Sequence, residues 1–265
     1  MVGELFAIDG QTPMPYEPTL AVQDAMRAAV WRGEMGKMLL LEHSPVYTLG
    51  VRSRKTELSE EMVAAATGKP ANVVRIRRGG QITYHGPGQL VGYLLVDLRQ
   101  HGGSAKCFMH ALEQVVMDAT ASVTGIVAGR NADHPGVWVG GRKIAAIGVS
   151  FSKHVSMHGF ALNVDNSDGQ LDNAFGAIVP CGINDPGLAV ASLDDLVAAE
   201  PAATAAVAAA GRPLKDALRS ALVHAVAGEF NLELRDSLGP LAESHRGDGA
   251  GLAAALCHRF SPPPA

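Results

Sequence analysis

The 265-residue chain has little cysteine, no long apolar run and no surplus of either charge, and each shortage argues against a class of function. Its three cysteines, Cys107, Cys181 and Cys257, form no CxxC pair and no Cys/His cluster at metal-ligand spacing. That excludes a disulfide framework and a zinc site, and it fits a reducing cytoplasm. Leu196 to Ala210, the longest low-charge stretch, is interrupted by Glu200 and Pro201 and consists mostly of alanine, which is too weakly apolar for a membrane span. Near the start, Glu4 and Asp9 stand where a secretory signal carries basic residues, so neither export nor a membrane partner is expected. The 22 Lys plus Arg against 26 Asp plus Glu leave a formal charge of -4 and no global field for a polyanion, so nucleic acid is not an expected partner. Neither a Walker A sequence, a paired-carboxylate signature nor an internal repeat is present.

What is present is an ordinary globular composition, 47% hydrophobic and 18% charged, long enough to bury one sizeable core. Thr19 is placed to cap a helix running to about Arg32, and Met38 to Leu41 reads as a buried strand. Residues around Ser44 to Gly50 read as a loop or short strand, and Ser59 starts a short helix. Val73 to Arg78 alternates, with Val74, Ile76 and Arg78 on one face and Arg75 and Arg77 on the other. Leu90 to Leu98 reads as another strand, and Ser104 to Thr124 as an amphipathic helix with Cys107, Leu112, Val115, Val116 and Ala119 in the core. Gly140 and Gly141 form the turn of a hairpin within Gly136 to Ser152, and a strand from about Ser156 to Val164 pairs with it. Beyond a polar loop at 166–173 and Cys181, only helices are expected, near Ser192 and from Pro213 to Phe230. The class is therefore α+β, with a mixed or antiparallel sheet and flanking helices rather than a doubly wound nucleotide fold. One domain spans 1–235, its Ala-rich helical part starting near 196, and 236–265 is expected to be a loosely held tail.

Chemistry concentrates in three places. Arg78 to Gln89 holds four glycines and a proline between strands, a composition that exposes backbone amides for close approach, and Arg78, Thr83, Tyr84 and His85 add polar groups that a simple turn does not need. Cys181 sits between Pro180 and Gly182, outside any helix. A thiolate attacking an acyl thioester needs such exposure together with nearby positive charge, although by itself a cytosolic cysteine is more simply an inert core thiol. Lys143 shares strand parity with Ala145, Ile147 and Val149, which puts its stem on an apolar face beside the small residues Ala146 and Gly148. The alternative is that Ile144 and Ala146 face inward and Lys143 snorkels. The strand that starts at His158-Gly159 is a candidate to line the same pocket, but taken alone His43, His110 and His158 read as structural histidines rather than catalysts.

Taken in order, the Arg78 to Gln89 loop, Gly136-Val137-Trp138-Val139 leading into Lys143-Ile144, the strand His158 to Val164 and Pro180-Cys181-Gly182 resemble the lipoyl(octanoyl) transferases. The resemblance runs from about Leu41 through Ile183 and implies the catalytic fold of biotin and lipoate protein ligases. It also implies a cysteine–lysine dyad, matching Cys181 and Lys143, and acyl-binding segments at Arg78, Gly79, Gly80, Gln81, Ile82, Thr83, Tyr84 and His85, at Ala146, Ile147 and Gly148, and at Gly159, Phe160 and Ala161. The implied reaction moves octanoyl from acyl carrier protein to a lysine of lipoyl domains, in 2-oxoacid dehydrogenases and the glycine-cleavage H protein, with no metal or other cofactor. An ATP-dependent lipoate or biotin ligase has no need of a nucleophilic cysteine, and a non-catalytic acyl-carrier-binding module has no need of the dyad. Two stretches depart from the family pattern, a long connection at Asn166 to Ala174 and everything after about Leu196. Arg52, Arg54, Lys55, Arg75 and Arg77 are candidates for a basic docking rim, if residues 52–55 and 75–77 lie together.

Overall fold

The computed structural model describes residues 2–8, 12–53, 55–179, 183, 185–238 and 244–260. The chain begins with β1 (Val2–Ala7) and α1 (Tyr16–Trp31), then β2 (Gly36–Leu41) and β3 (Val46–Leu49). Next come α2 (Glu60–Thr67), β4 (Asn72–Arg75), β5 (Ile82–His85) and β6 (Gln89–Leu95). The helix α3 (Ala105–Thr124) leads to β7 (Gly129–Arg130), the hairpin β8 (Val137–Val139) and β9 (Arg142–Ser152), and β10 (Val155–Asn163). The last part holds α4 (Gln170–Gly176), β11 (Ala189–Val190), α5 (Leu193–Ala199), α6 (Pro201–Ala209), α7 (Leu214–Glu229), β12 (Glu233–Asp236) and α8 (Gly249–Phe260).

Among the described residues the large sheet runs β12-β1-β2-β6-β10-β9-β8-β7, with β11 added alongside β9. β1 is parallel to both neighbours and β2 through β7 pair antiparallel, so the sheet is mixed as expected. Both faces are covered, which is why its central strands are apolar at nearly every position rather than at every second one. On one side α3 and α7 contribute Phe108, Leu112, Val116, Leu218, Leu222 and Val226. On the other, α1 and α8 contribute Val22, Met26, Leu252 and Leu256, each such aliphatic side chain being worth about 1.5–3 kcal/mol when fully buried. A second sheet, β4-β3-β5, packs Tyr47, Leu49, Ile82 and Tyr84 against Val63 of α2 and Leu171, Ala174 and Phe175 of α4.

Several expectations need correction. α1 starts at Tyr16, because Pro15 has the fixed φ of a helix entry and Thr19, one turn in, turns its hydroxyl back to the Pro15 carbonyl at 2.7 Å. The strand expected from Val73 to Arg78 ends at Arg75, where its pairing partner β3 ends. Cys107 is exposed, since the buried stripe of α3 runs through Phe108, Leu112, Val115 and Ala119 and leaves position 107 on the outer side. The polar stretch at 166–173 contains the start of α4, with Asn166 Oδ1 accepting from the backbone N–H of Leu171 and Asp172. Two strands, β11 and β12, follow Cys181 where only helices were expected. The segment read as a loose tail carries α8, whose Leu252, Ala253, Leu256 and Phe260 are buried against α1 and the sheet.

Candidate active site

A cavity of about 240 Å³ opens between the second sheet and the β6, β9 and β10 strands of the large one. Arg78, Gly79, Gly80, Gln81, Thr83 and His85 line one wall; Ala146, Ile147, Gly148, Gly159, Phe160 and Ala161 line the other, and Lys143 stands with them. Ile82 and Tyr84 do not reach it. Successive residues on β5 point to opposite sides, so Thr83 and His85 face the cavity while Ile82 and Tyr84 belong to the cluster under α4. Tyr84 there accepts a hydrogen bond from Gln170 Nε2 at 3.0 Å. Cys181 lies outside the described residues, as do Pro180 and Gly182.

The glycines of the far wall make room. Gly159 and Gly148 are paired across β10 and β9, and a Cβ on Gly148 would lie 3.0 Å from Arg78 Cδ. Arg78 therefore crosses to the large sheet over a bare backbone. Arg78 is 7% exposed, and its guanidinium donates to the carbonyl of Thr48 at 2.7 Å, to Thr48 Oγ1 at 2.8 Å and to the Gly79 carbonyl at 2.9 Å.

Around this cation lie neutral rings. His43 Nδ1 meets the Met14 carbonyl at 2.7 Å and so carries the proton, which leaves Nε2 to accept from the Tyr93 hydroxyl, also at 2.7 Å. Gln89 Nε2 donates to Asn163 Oδ1 at 2.8 Å; its Oε1 faces His85 Nδ1 at 2.7 Å, so that nitrogen is the donor and Nε2 of His85 has its lone pair free. Burial drives the His43 pKa down to about 4. His85 falls to about 3, through burial first and then the neighbouring His43. Burial and then the Arg78 charge take His158 to about 3. Tyr16 and Tyr93, pushed up by burial, stay protonated. Among the described residues, Thr83 Oγ1 and His158 Nδ1 are buried without a hydrogen-bond partner.

Lys143 reaches the cavity by a route that strand parity does not give. Val137 pairs with Ala145 and Trp138 with Lys143, so β9 has an extra residue, Ile144, opposite the step between them. Ile144 and Ala145 both lie in the core with α3, while Lys143 falls on the side of Ala146 and Gly148. Parity with Ala145 fails at this extra residue, and simple snorkelling fails because Lys143 is 4% exposed. Its Nζ donates to the Pro135 carbonyl at 2.7 Å and lies 5.5 Å from the Trp138 ring centre. The loop that supplies this carbonyl also holds His134, whose Nε2 is hydrogen-bonded to Asp185. β11 then runs parallel to the start of β9, with Ala191 N–H donating to the Lys143 carbonyl at 3.0 Å.

Tyr16, Val91, Tyr93, Met109, His134 and Pro135 line the cavity without a signal in the sequence, and His158 lines it from the strand expected there. Tyr93 is hidden by its setting, since an aromatic in the apolar run of β6 looks like core. His158 carries a signal visible only in the backbone, a positive φ of 67° in a non-glycine residue. Among the described residues there is no group of three or more metal-ligating side chains, and no helix is long and apolar enough to cross a membrane.

The model of the lipoyl protein ligase A/B catalytic domain matches residues 15–211. An octanoyltransferase of Thiobacillus denitrificans is 46% identical over 182 residues, 68% of this chain and 77% of that one. A second, from Maricaulis maris, is 43% identical over 190 residues, 69% of this chain and 78% of its own. Among solved structures, lipoate-protein ligase A bound with ATP superposes with a TM-score of 0.63 at 16% identity, covering 99% of this chain and 97% of that one. A bipartite lipoate protein ligase of Thermoplasma acidophilum gives 0.58 at 17%, covering 99% and 94%. At such identities the likeness shows a shared fold, the lipoate-ligase fold that the resemblance implied.

The chain belongs to the lipoyl protein ligase A/B catalytic-domain family. Its curated relatives there are octanoyltransferases, and the chain is accordingly an acyltransferase.

Proposed function

We propose that the chain transfers octanoyl from the thioester of acyl carrier protein to a lysine of a lipoyl domain, by way of a thioester on Cys181. The observation that carries this reading is Lys143, a lysine almost wholly buried at the wall of a cavity whose far side is glycine and apolar surface. Lys143 Nζ takes the thiol proton of Cys181. The thiolate attacks the donor carbonyl, the new C–S bond forms, and the carrier leaves as a thiol carrying that proton. The acceptor amine then attacks the acyl-enzyme. A C–N bond replaces the C–S bond, one amine proton passes to Lys143, and the cysteine is regenerated. Arg78, Gly79 and Gly80 on one side and Ala146, Gly148, Gly159 and Ala161 on the other hold the chain of the acyl group.

Sequence proximity supports the pairing. Cys181 is four residues before Asp185, which is bonded to His134, and Pro135 next to it holds the Lys143 amine. The acceptors are the lipoyl domains of 2-oxoacid dehydrogenases and the glycine-cleavage H protein, reached in the cytoplasm, where a free thiol stays reduced. The catalytic unit is one domain, since α7 and β12 share the core and sheet of the residues that line the cavity.

Intact mass spectrometry after incubation with octanoyl-acyl carrier protein and no ATP tests this. A single octanoyl adduct is expected on Cys181 and none on Cys181→Ala. An adduct on Cys107 or Cys257, or one that requires ATP, overturns the assignment.

A further inference from the structure

Two carboxylates are fully buried among the described residues, Glu42 and Glu113. Glu42 is matched by Lys215 and Arg219. Glu113 sits on the inner face of α3 beside Leu112 and Val116, where an apolar residue would fit the helix better, and a buried charge there costs several kcal/mol unless fully compensated. Its compensation comes from the segment that ends in the loop at Lys143. Oε2 accepts from Arg130 Nε at 3.0 Å, and Oε1 accepts from the backbone N–H of Gly136 at 2.9 Å.

That second bond fixes the peptide whose other end is the carbonyl of Pro135. The same carbonyl accepts from Lys143 Nζ at 2.7 Å, so one peptide unit is held at its N–H by Glu113 and presents its oxygen to the lysine. Gly136 has φ of 134°, and a Cβ there would lie 2.4 Å from the Ala145 carbonyl and 2.6 Å from Lys143 Cε. The loop is thus pressed against the lysine stem, which leaves it little room for another arrangement. One residue earlier, His134 reaches Asp185, beyond Cys181 in the chain.

We infer that Glu113 is a positioning residue: through the Pro135–Gly136 peptide it sets the place of the Lys143 amine, without touching substrate itself. This rests on the cysteine–lysine reading above. Three variants separate positioning from mere stability. Glu113→Met keeps much of the volume and removes the acceptor for Gly136. Glu113→Gln keeps an acceptor oxygen for Gly136 but loses the charge that pairs Arg130. Arg130→Met breaks the ion pair and leaves the Gly136 bond intact.

Steady-state kinetics with a small octanoyl thioester are measured for each, together with thermal unfolding and the alkylation rate of Cys181 relative to the exposed Cys107. Glu113→Met is expected to lower kcat on the order of 10²-fold with little change in KM, and to lower the Cys181-to-Cys107 alkylation ratio. Glu113→Gln and Arg130→Met are expected to lose thermal stability and yet keep kcat within about threefold, a change of under 1 kcal/mol in the barrier. Wild-type kcat in Glu113→Met overturns the inference. So does a fall of kcat in all three variants in step with their melting temperatures. Absence of an octanoyl adduct on the wild-type protein would instead overturn the cysteine reading.

Discussion

The two walls of the cavity are built in opposite ways. One comes from a single stretch, Arg78 to His85, in which glycines, an arginine and a histidine follow one another within eight residues. The other is assembled from β6 and, later in the chain, the consecutive strands β9 and β10, and apart from Tyr93, His158 and Lys143 its cavity-facing residues are glycines and apolar side chains, unremarkable one by one. The first wall supplies charge and hydrogen bonds; the second supplies space and one lysine. Each is steadied by a buried carboxylate that accepts a loop glycine N–H, Glu42 from Gly88 and Glu113 from Gly136. The contrast teaches that a polar wall can be local, whereas a wall made of absence has to be cut from a sheet that is already rigid.

The sharpest way to break this comparison is at the lysine. Lys143→Ala should lower octanoyl transfer by about 10²–10⁴-fold with the fold intact, and Lys143→Arg should rescue little because a guanidinium does not give up its proton. Wild-type turnover of Lys143→Ala at neutral pH would return all the chemistry to the polar wall.

Acid strikes the buried histidines around Arg78 instead. The folded pKa values of His43, His85 and His158 lie at about 4, 3 and 3, below the unfolded value of 6.5, so the unfolded chain binds more protons. The stability these neutral rings provide is present above pH 6.5 and is lost as pH falls toward 3 to 4. The slope is about 1.4 kcal/mol per pH unit for each histidine. Urea midpoints measured from pH 7 to pH 4.5 should fall steeply, and a substitution of His43 by Gln should flatten the fall. A pH-independent midpoint would mean that the cluster is not held neutral.

A milder intervention joins the two walls. Gly148→Ala puts a methyl 3.0 Å from Arg78 Cδ, and overpacking of this kind typically costs about 1–3 kcal/mol. The expected result is a KM for octanoyl thioester raised roughly tenfold with kcat kept, which kinetics on the small thioester reads directly.

The smallest effect is expected at the mouth. Arg52 lines the cavity, and Arg75 donates to the carbonyls of Ser53 and Thr56, so the two basic stretches do lie together; Arg54 is outside the described residues. Lys55 and Arg77 are exposed. Reversing both to Glu should raise KM for a carrier-bound donor about two- to fivefold and flatten its salt dependence, sparing the small thioester, because exposed charges act on encounter and are screened beyond about 8 Å. Equal losses on both donors would make these residues part of the pocket.

Much of the polar wall was legible because glycine density and a buried arginine leave a local trace. The strands of the far wall were also legible as strands, from their apolar runs and from the Gly140-Gly141 turn. What escaped depends on registers and partners. Ile144 looks like any strand residue until its pairing with β8 makes it the extra one, and only then does Lys143 change sides. Ala189–Val190 is too short to carry a period, and Tyr93 differs from a core tyrosine only in what lies opposite it. Cys107 differs from its expected core position because its neighbour Phe108, not Cys107 itself, begins the buried stripe. α8 reads as tail in the sequence because the glycines and prolines at its flanks outweigh the Leu252, Leu256 and Phe260 that dock it.

One pairing also constrains how the molecule comes into being. β1 lies between β2 and β12, with Val2 opposite Glu233 and Leu5 opposite Asp236. A ribosome adding about 5–20 residues per second makes β12 more than two hundred residues after β1, so for many seconds the strand has an open edge. Contacts of such long sequence separation form late and slow the search. During synthesis the nascent chain therefore carries an unpaired edge on β1 until β12 has been made, and that interval is when edge-to-edge pairing with another chain has its opening.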